Sequence, residues 1–175
     1  MSQSNIILTG FMGTGKSTLG RLLAERIGYE FIDTDDQIEK QINQTITELF
    51  RTQGEAAFRK LESELVEELA QKKGLVIATG GGLVLNPKNV SALSKTGQII
   101  CLTASSEEIL ARVSKQKNVR PLLQEEDPQA KIMKLLHQRE AVYKQFPQLS
   151  TSKQTPEQLV NKLLKCNQFI RITGP

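Results

Sequence analysis

The eight residues Gly10-Phe11-Met12-Gly13-Thr14-Gly15-Lys16-Ser17 constrain this chain more than any other part of it, because they fit the pattern GxxxxGK[ST]. Such a pattern cradles phosphate when a strand runs into it and a helix leaves it. Both conditions are met. Ile6-Ile7-Leu8-Thr9 is a short apolar run without polar alternation, the mark of a strand covered on both faces. Beyond the motif, Leu19, Leu22, Leu23 and Ile27 recur at helical spacing, and Gly28 supplies a stop. The glycines permit positive φ and bring backbone N–H groups round a phosphate, where the helix N-terminus adds a favourable field. Lys16 is placed to reach the β- and γ-phosphates, and the Ser17 hydroxyl is a hard oxygen suited to Mg²⁺. Gly13, Thr14, Gly15, Lys16, Ser17 and Thr18 are therefore the expected nucleotide-phosphate residues.

Apolar runs alternate with amphipathic stretches along the rest of the chain, which predicts an α/β fold with a mainly parallel sheet and helices on both faces. Further strands are expected at Phe31-Ile32-Asp33, Leu75 to Thr79, Ile99 to Leu102 and Leu149 to Thr151. Thr45-Ile46-Thr47-Glu48 has the form of a capping box and opens a helix that Gly54 should end. In the following helix Phe58, Leu61, Leu65 and Leu69 make the core stripe. Glu55, Arg59 and Glu62 fall on an adjoining face directed away from the core. Asp127-Pro128 and Thr155-Pro156 are cap and first-turn pairs that open two more helices. No repeat or linker interrupts the 175 residues, so one domain is expected over 1–175, with a lid loop at about 114–127 and a tail at about 168–175.

Composition narrows the partners. With 38% hydrophobic and 24% charged residues the chain is ordinary for a soluble globular domain, and no apolar run approaches the length of a membrane span. The start lacks a basic segment followed by an apolar one, so a cytoplasmic location is expected. Cys101 and Cys166 are the only thiols and cannot form a disulfide framework or, with one histidine, a four-ligand zinc site. The net charge of +4 is interspersed with acids, and aromatics are scarce, which argues against a nucleic-acid partner. His137 has no partner nearby in sequence and is assigned no catalytic role.

Two further groups of residues carry chemistry. Asp33-Thr34-Asp35 follows a predicted strand and so emerges where ligands of open α/β sheets bind. Two carboxylates suffice beside a phosphate-bound Mg²⁺, although either could simply cap the next helix. Gly80-Gly81-Gly82 follows the third predicted strand and leaves a backbone that a ligand can approach closely; a plain turn is the alternative.

The ordered set of these residues, with Gly54-Glu55, Phe58-Arg59, Arg120-Pro121-Leu122-Leu123 and Arg139 four residues before Tyr143, resembles shikimate kinases over about residues 5 to 165. That resemblance implies a three-layer P-loop kinase fold with a five-stranded parallel sheet. It also implies a monomeric enzyme that uses ATP and Mg²⁺ to phosphorylate the 3-hydroxyl of shikimate, giving shikimate 3-phosphate and ADP on the route to chorismate and the aromatic amino acids. Carried over by position, Asp35 holds the reacting hydroxyl and Asp33 orders the metal's waters. Arg59 and Arg139 grip the substrate carboxylate, Gly80, Gly81 and Gly82 line the substrate, and Arg120 is the lid arginine over the phosphates. Arg112 and the segment from Lys153 to Pro156 match the adenine region, where Ser152 and Lys153 replace the asparagine and arginine of many members. A related kinase of gluconate or nucleoside monophosphates, and a nucleotide-dependent switch, are the rival readings. The latter lacks an Asn-Lys-x-Asp segment for guanine.

Overall fold

The computed structural model describes residues 4–115 and 127–165. Arg120, most of the segment expected as a lid, Cys166 and the tail from 168 lie outside the described residues. Five strands form one sheet: β1 (Asn5–Gly10), β2 (Glu30–Asp33), β3 (Leu75–Ala78), β4 (Gly97–Thr103) and β5 (Gln148–Ser150), in the order β2-β3-β1-β4-β5. Every pairing is parallel. Around the sheet lie α1 (Lys16–Ile27), α2 (Thr34–Ile42), α3 (Ile46–Leu69), α4 (Pro87–Ser94), α5 (Ser106–Val113), α6 (Pro128–Tyr143) and α7 (Pro156–Lys165).

Strand periodicity divides the core into two layers. Ile6 and Leu8 of β1, Val76 of β3 and Ile100 and Leu102 of β4 pack with α1 and α7. Ile7, Ile77, Ile99 and Cys101 point the other way, into a larger cluster with α2, α3, α4, α5 and α6. Because successive side chains of a strand alternate between faces, a strand apolar at every position requires helices on both sides. From β1 the chain runs to one side through β2 and β3 and returns to the other through β4 and β5. The carboxyl end of β1 is thus the switch point, and the phosphate-loop motif begins there.

The expected helix boundary at Gly54 is present as a kink. Within α3 (Ile46–Leu69) two helical segments meet at Gly54, whose φ of 80° and ψ of 176° are non-helical. A glycine tolerates that left-handed φ, so the two halves meet at an angle instead of being parted by a loop. Among the described residues no helix is long and apolar enough to cross a membrane. Cys101 is buried, and burial pushes its thiol up to about 11.

At the amino end of the sheet the fully buried Asn5 substitutes for missing backbone pairing. Its Nδ2 donates to the Lys72 carbonyl at 2.8 Å and to Thr96 Oγ1 at 3.3 Å, and its Oδ1 accepts from Leu75 N at 3.0 Å. One side chain thereby satisfies the segments that enter β3 and β4. Asn5→Ala is expected to destabilise the protein by about 2 to 4 kcal/mol in urea unfolding, since buried backbone groups lose their partners. A change under about 0.5 kcal/mol, the range of an ordinary surface substitution, would show that these bonds are replaced.

Candidate active site

The phosphate loop is built as its spacing predicts. Gly15 caps α1 with a left-handed φ of 92° and no side-chain bond to the first-turn amides. Gly13, at φ 74°, passes so close to α5 that a Cβ would lie 2.9 Å from Val113 Cγ2. Thr14 Oγ1 donates to the Phe11 carbonyl at 2.7 Å, and Lys16 Nζ donates to the Gly10 and Phe11 carbonyls, each at 2.9 Å. The lysine therefore lies across the loop. Ser17 Oγ donates to Asp33 Oδ2 at 2.6 Å, joining the start of α1 to the end of β2.

Asp33 caps α2 and also meets the phosphate loop. While Oδ2 accepts from Ser17, Oδ1 accepts from Asp35 N at 3.1 Å and Asp36 N at 3.5 Å, capping α2. Thr34, between the two aspartates, is a buried anchor whose Oγ1 accepts from Gly80 N at 2.9 Å. That bond ties the start of α2 to the loop after β3. Sequence offered no signal for it, because the contact spans 46 residues.

The triple glycine is explained by what touches it. A Cβ on Gly80 would fall 2.7 Å from Asp35 Oδ1 and 3.0 Å from Glu62 Oε1. One on Gly81 would fall 3.2 Å from Arg139 Nη1, and one on Gly82 would fall 2.7 Å from both terminal nitrogens of Arg59. None of the three has a left-handed φ. Close approach, not turn geometry, demands glycine here. The loop thus gathers two carboxylates and two guanidiniums from α2, α3 and α6.

A cavity of about 440 Å³ connects these parts. Its walls include Lys16, Ser17, Thr18, Asp33, Asp35 and Arg112, together with Gly13, Gly15, Gly80 and Gly81. Arg59 and Arg139 abut the glycine wall. Asp36 and Thr79, not singled out by sequence, line the cavity too. The Asp36 carboxylate lies 3.3 Å from Arg21, and burial, with Asp33 nearby, pushes it above the usual carboxylate range. Lys153 is exposed and does not reach the cavity; only its backbone is held, with its N donating to Glu108 Oε1 at 3.2 Å. Arg112 bridges the two ends, donating to the Gly13 carbonyl at 3.1 Å and to Thr151 Oγ1 at 3.1 Å and its carbonyl at 3.3 Å. His137 is exposed on α6, 3.7 Å from Glu140.

Glu62 lies on the face of α3 expected to point away from the apolar core, yet its side chain is only 1% exposed. The helix turns that carboxylate under the glycine loop, where Arg59 Nη1 donates to Oε2 at 2.6 Å. On its outer side Arg59 donates to Glu55 Oε1 from Nη2 at 2.7 Å and from Nε at 3.1 Å. Two carboxylates thus hold one guanidinium, and one of them is desolvated, unlike a surface pair. On α6, Arg139 lies 5.5 Å above the Phe11 ring, while Tyr143 OH donates to the Gly81 carbonyl at 2.7 Å. Burial pushes the Tyr143 phenol up against the pull of Arg139.

Burial pushes the Glu62 carboxyl above its ordinary value of 4.5; the hydrogen bond and charge of Arg59 pull it back, and Asp35 adds a smaller upward push. A carboxyl with a raised folded-state pKa contributes stability below its unfolded pKa and loses it as pH rises through the folded one. Glu62→Gln removes that loss. Its melting temperature relative to wild type is expected to become more favourable as pH is raised from 4.5 towards neutrality. A difference that stays flat over that range would show that Glu62 titrates as it does in the unfolded chain.

Comparison with known proteins agrees with this geometry. The family model described as shikimate kinase matches residues 12–168. The shikimate kinase of Caldanaerobacter subterraneus subsp. tengcongensis is 44% identical over 171 residues, covering 97% of this chain and 98% of its own length. That of Pelotomaculum thermopropionicum is 52% identical over 139 residues, covering 79% and 80%. Among solved structures, shikimate kinase from Acinetobacter baumannii in complex with shikimate superposes with a TM-score of 0.87 at 37% identity, covering 94% of this chain and 92% of its own. With a phosphate loop, a paired aspartate segment and two arginines brought to one glycine wall, and with relatives matching nearly end to end, the chain belongs to the shikimate kinase family.

Proposed function

We propose that the cavity takes Mg-ATP at its phosphate-loop end and shikimate at its triple-glycine end, with Asp35 between them. The reaction is that of the family: ATP-dependent phosphoryl transfer to the 3-hydroxyl of shikimate, giving shikimate 3-phosphate and ADP. What carries the assignment of residues is the contact of Gly80, Gly81 and Gly82 with Asp35, Arg139 and Arg59, beside the wall that holds Lys16 and Ser17.

Each role follows from chemistry. A guanidinium forks onto a carboxylate bidentately, so Arg59 and Arg139, on different helices, fix the acid end of shikimate and aim its hydroxyls along the cavity. Asp35 accepts a hydrogen bond from the reacting hydroxyl and takes its proton as the oxygen attacks the γ-phosphorus. Lys16, with the amides from Gly13 to Thr18, binds the β- and γ-phosphates and offsets the charge that develops on them. Arg112 and the turn from Lys153 to Pro156 take the adenine.

Ser17 and Asp33 fit Mg²⁺, offering a hydroxyl and a carboxylate as hard oxygen donors on adjoining elements. Among the described residues there is no cluster of three or more carboxylate, histidine or cysteine side chains able to hold a metal. The nucleotide phosphates and water would complete the coordination, and the bound ion supplies positive charge at the β- and γ-oxygens.

Asp35→Asn is expected to lower kcat by about 10²- to 10³-fold, as loss of a general base does, with a much smaller rise in the KM for shikimate. A coupled assay of ADP release measures both, and near wild-type turnover would remove Asp35 from catalysis. In isothermal titration, Arg139→Ala is expected to weaken shikimate binding by about 2 to 4 kcal/mol, the cost of losing a charge-paired contact. Equal affinities would place the carboxylate elsewhere.

A further inference from the structure

The turn from Thr151 to Thr155, between β5 and α7, meets the cavity through Arg112, and α5 holds it at three successive residues. Arg112 donates to the carbonyl and hydroxyl of Thr151. The Ser152 hydroxyl donates to Glu108 Oε2 and accepts from Ser105 N at 3.4 Å, while Lys153 N donates to Glu108 Oε1 at 3.2 Å. Lys153 adopts a φ of 55°, a left-handed conformation that a residue with a side chain adopts only when its surroundings hold it there. Glu108 and Arg112 lie one helical turn apart, 3.9 Å from each other, and Arg112 also reaches the Gly13 carbonyl of the phosphate loop. One helix face thus sets the spacing between the phosphate loop and this turn.

We propose that Glu108 is a positioning residue for the nucleotide base: acting through the Ser152 hydroxyl and the Lys153 amide, it fixes where the Thr151–Thr155 turn stands relative to the phosphate loop. It does so without touching ATP. The inference rests on the reading that adenine lies at this turn. The hydrogen bond from Ser152, followed by that from Lys153 N, holds the Glu108 carboxyl below its usual range, so it is ionised and acts only as an acceptor at neutral pH. Ser152 is suited to this partner. Its short hydroxyl both accepts from Ser105 N and donates to the carboxylate, closing a bridge across 44 residues.

The test compares a ligand that has a base with one that has none. Dissociation constants for MgADP and for magnesium pyrophosphate are measured by isothermal titration on wild type, Glu108→Ala, Glu108→Gln and Ser152→Ala. Losing charge-assisted bonds of this kind is expected to weaken MgADP about five- to tenfold in Glu108→Ala and less in Ser152→Ala, with pyrophosphate changing less than about twofold. Glu108→Gln, which keeps an acceptor oxygen, should fall between wild type and Glu108→Ala. The preference for ATP over GTP in kcat/KM narrows in the same order, and the KM for shikimate does not follow it. Should Glu108→Ala not fold, Ser152→Ala carries the comparison. Unchanged MgADP affinity in the folded variants overturns the proposal, as does equal weakening of both ligands, which would make Glu108 a general support of the phosphate loop. If the wild type binds MgADP no more tightly than pyrophosphate, the turn takes no base and the reading beneath the proposal falls with it.

Discussion

The approach of four charged side chains to a bare backbone holds this site together. Gly80, Gly81 and Gly82 leave β3 at the sheet edge where β1 delivers the phosphate loop, and each gives up a side-chain volume to a group from another helix. A methyl group at Gly82 would occupy the place of the Arg59 guanidinium, and one at Gly80 would press on Asp35. The glycine wall is therefore shaped by what the loop lacks, and the charged groups against it come from α2, α3 and α6. The Thr34 bond to Gly80 N and the Tyr143 bond to the Gly81 carbonyl pin that loop from two sides.

Charge in this region is balanced within the protein. Glu62 lies buried beneath Gly80, and desolvation of its carboxylate is only partly offset by Arg59. Such an arrangement adds little stability compared with an apolar substitute of similar shape. Its physical effect is orientation: held by Glu55 on the outside and Glu62 on the inside, the guanidinium cannot swing freely. A preorganised fork loses less entropy when it meets a carboxylate. The same economy appears at α5, where Arg112 and Glu108 spend their hydrogen-bonding capacity on the phosphate loop and on the turn after β5.

Local signals made most of the framework legible. Strands β1, β3 and β4 were readable because a buried parallel strand is a near-continuous apolar run, and the caps at Thr45, Asp127 and Thr155 because capping is decided within four residues. The phosphate loop was readable because its chemistry is contiguous. Where neighbours in space are far apart in sequence, reading stopped. Gly54 was read as a stop and the helix does break there, but both flanking segments pack on the same core, so they meet at a kink and are not parted by a loop. Glu62 was read as facing something other than the apolar core; only the structure shows that it faces Gly80 and is buried there.

What the sequence by itself determined is the order of elements, the two-sided burial of β1, β3 and β4 and the phosphate-binding loop, since each is encoded in residues within a turn or two of one another. Only the tertiary structure decided that Asp35, Arg59 and Arg139 meet across three glycines, that Thr34 and Tyr143 tether that loop, and that Glu62 is buried beneath it. Those facts depend on the crossing of helices over a twisted sheet, which places residues from α2, α3 and α6 within bonding distance of one backbone segment. No period or motif along the chain records such distances.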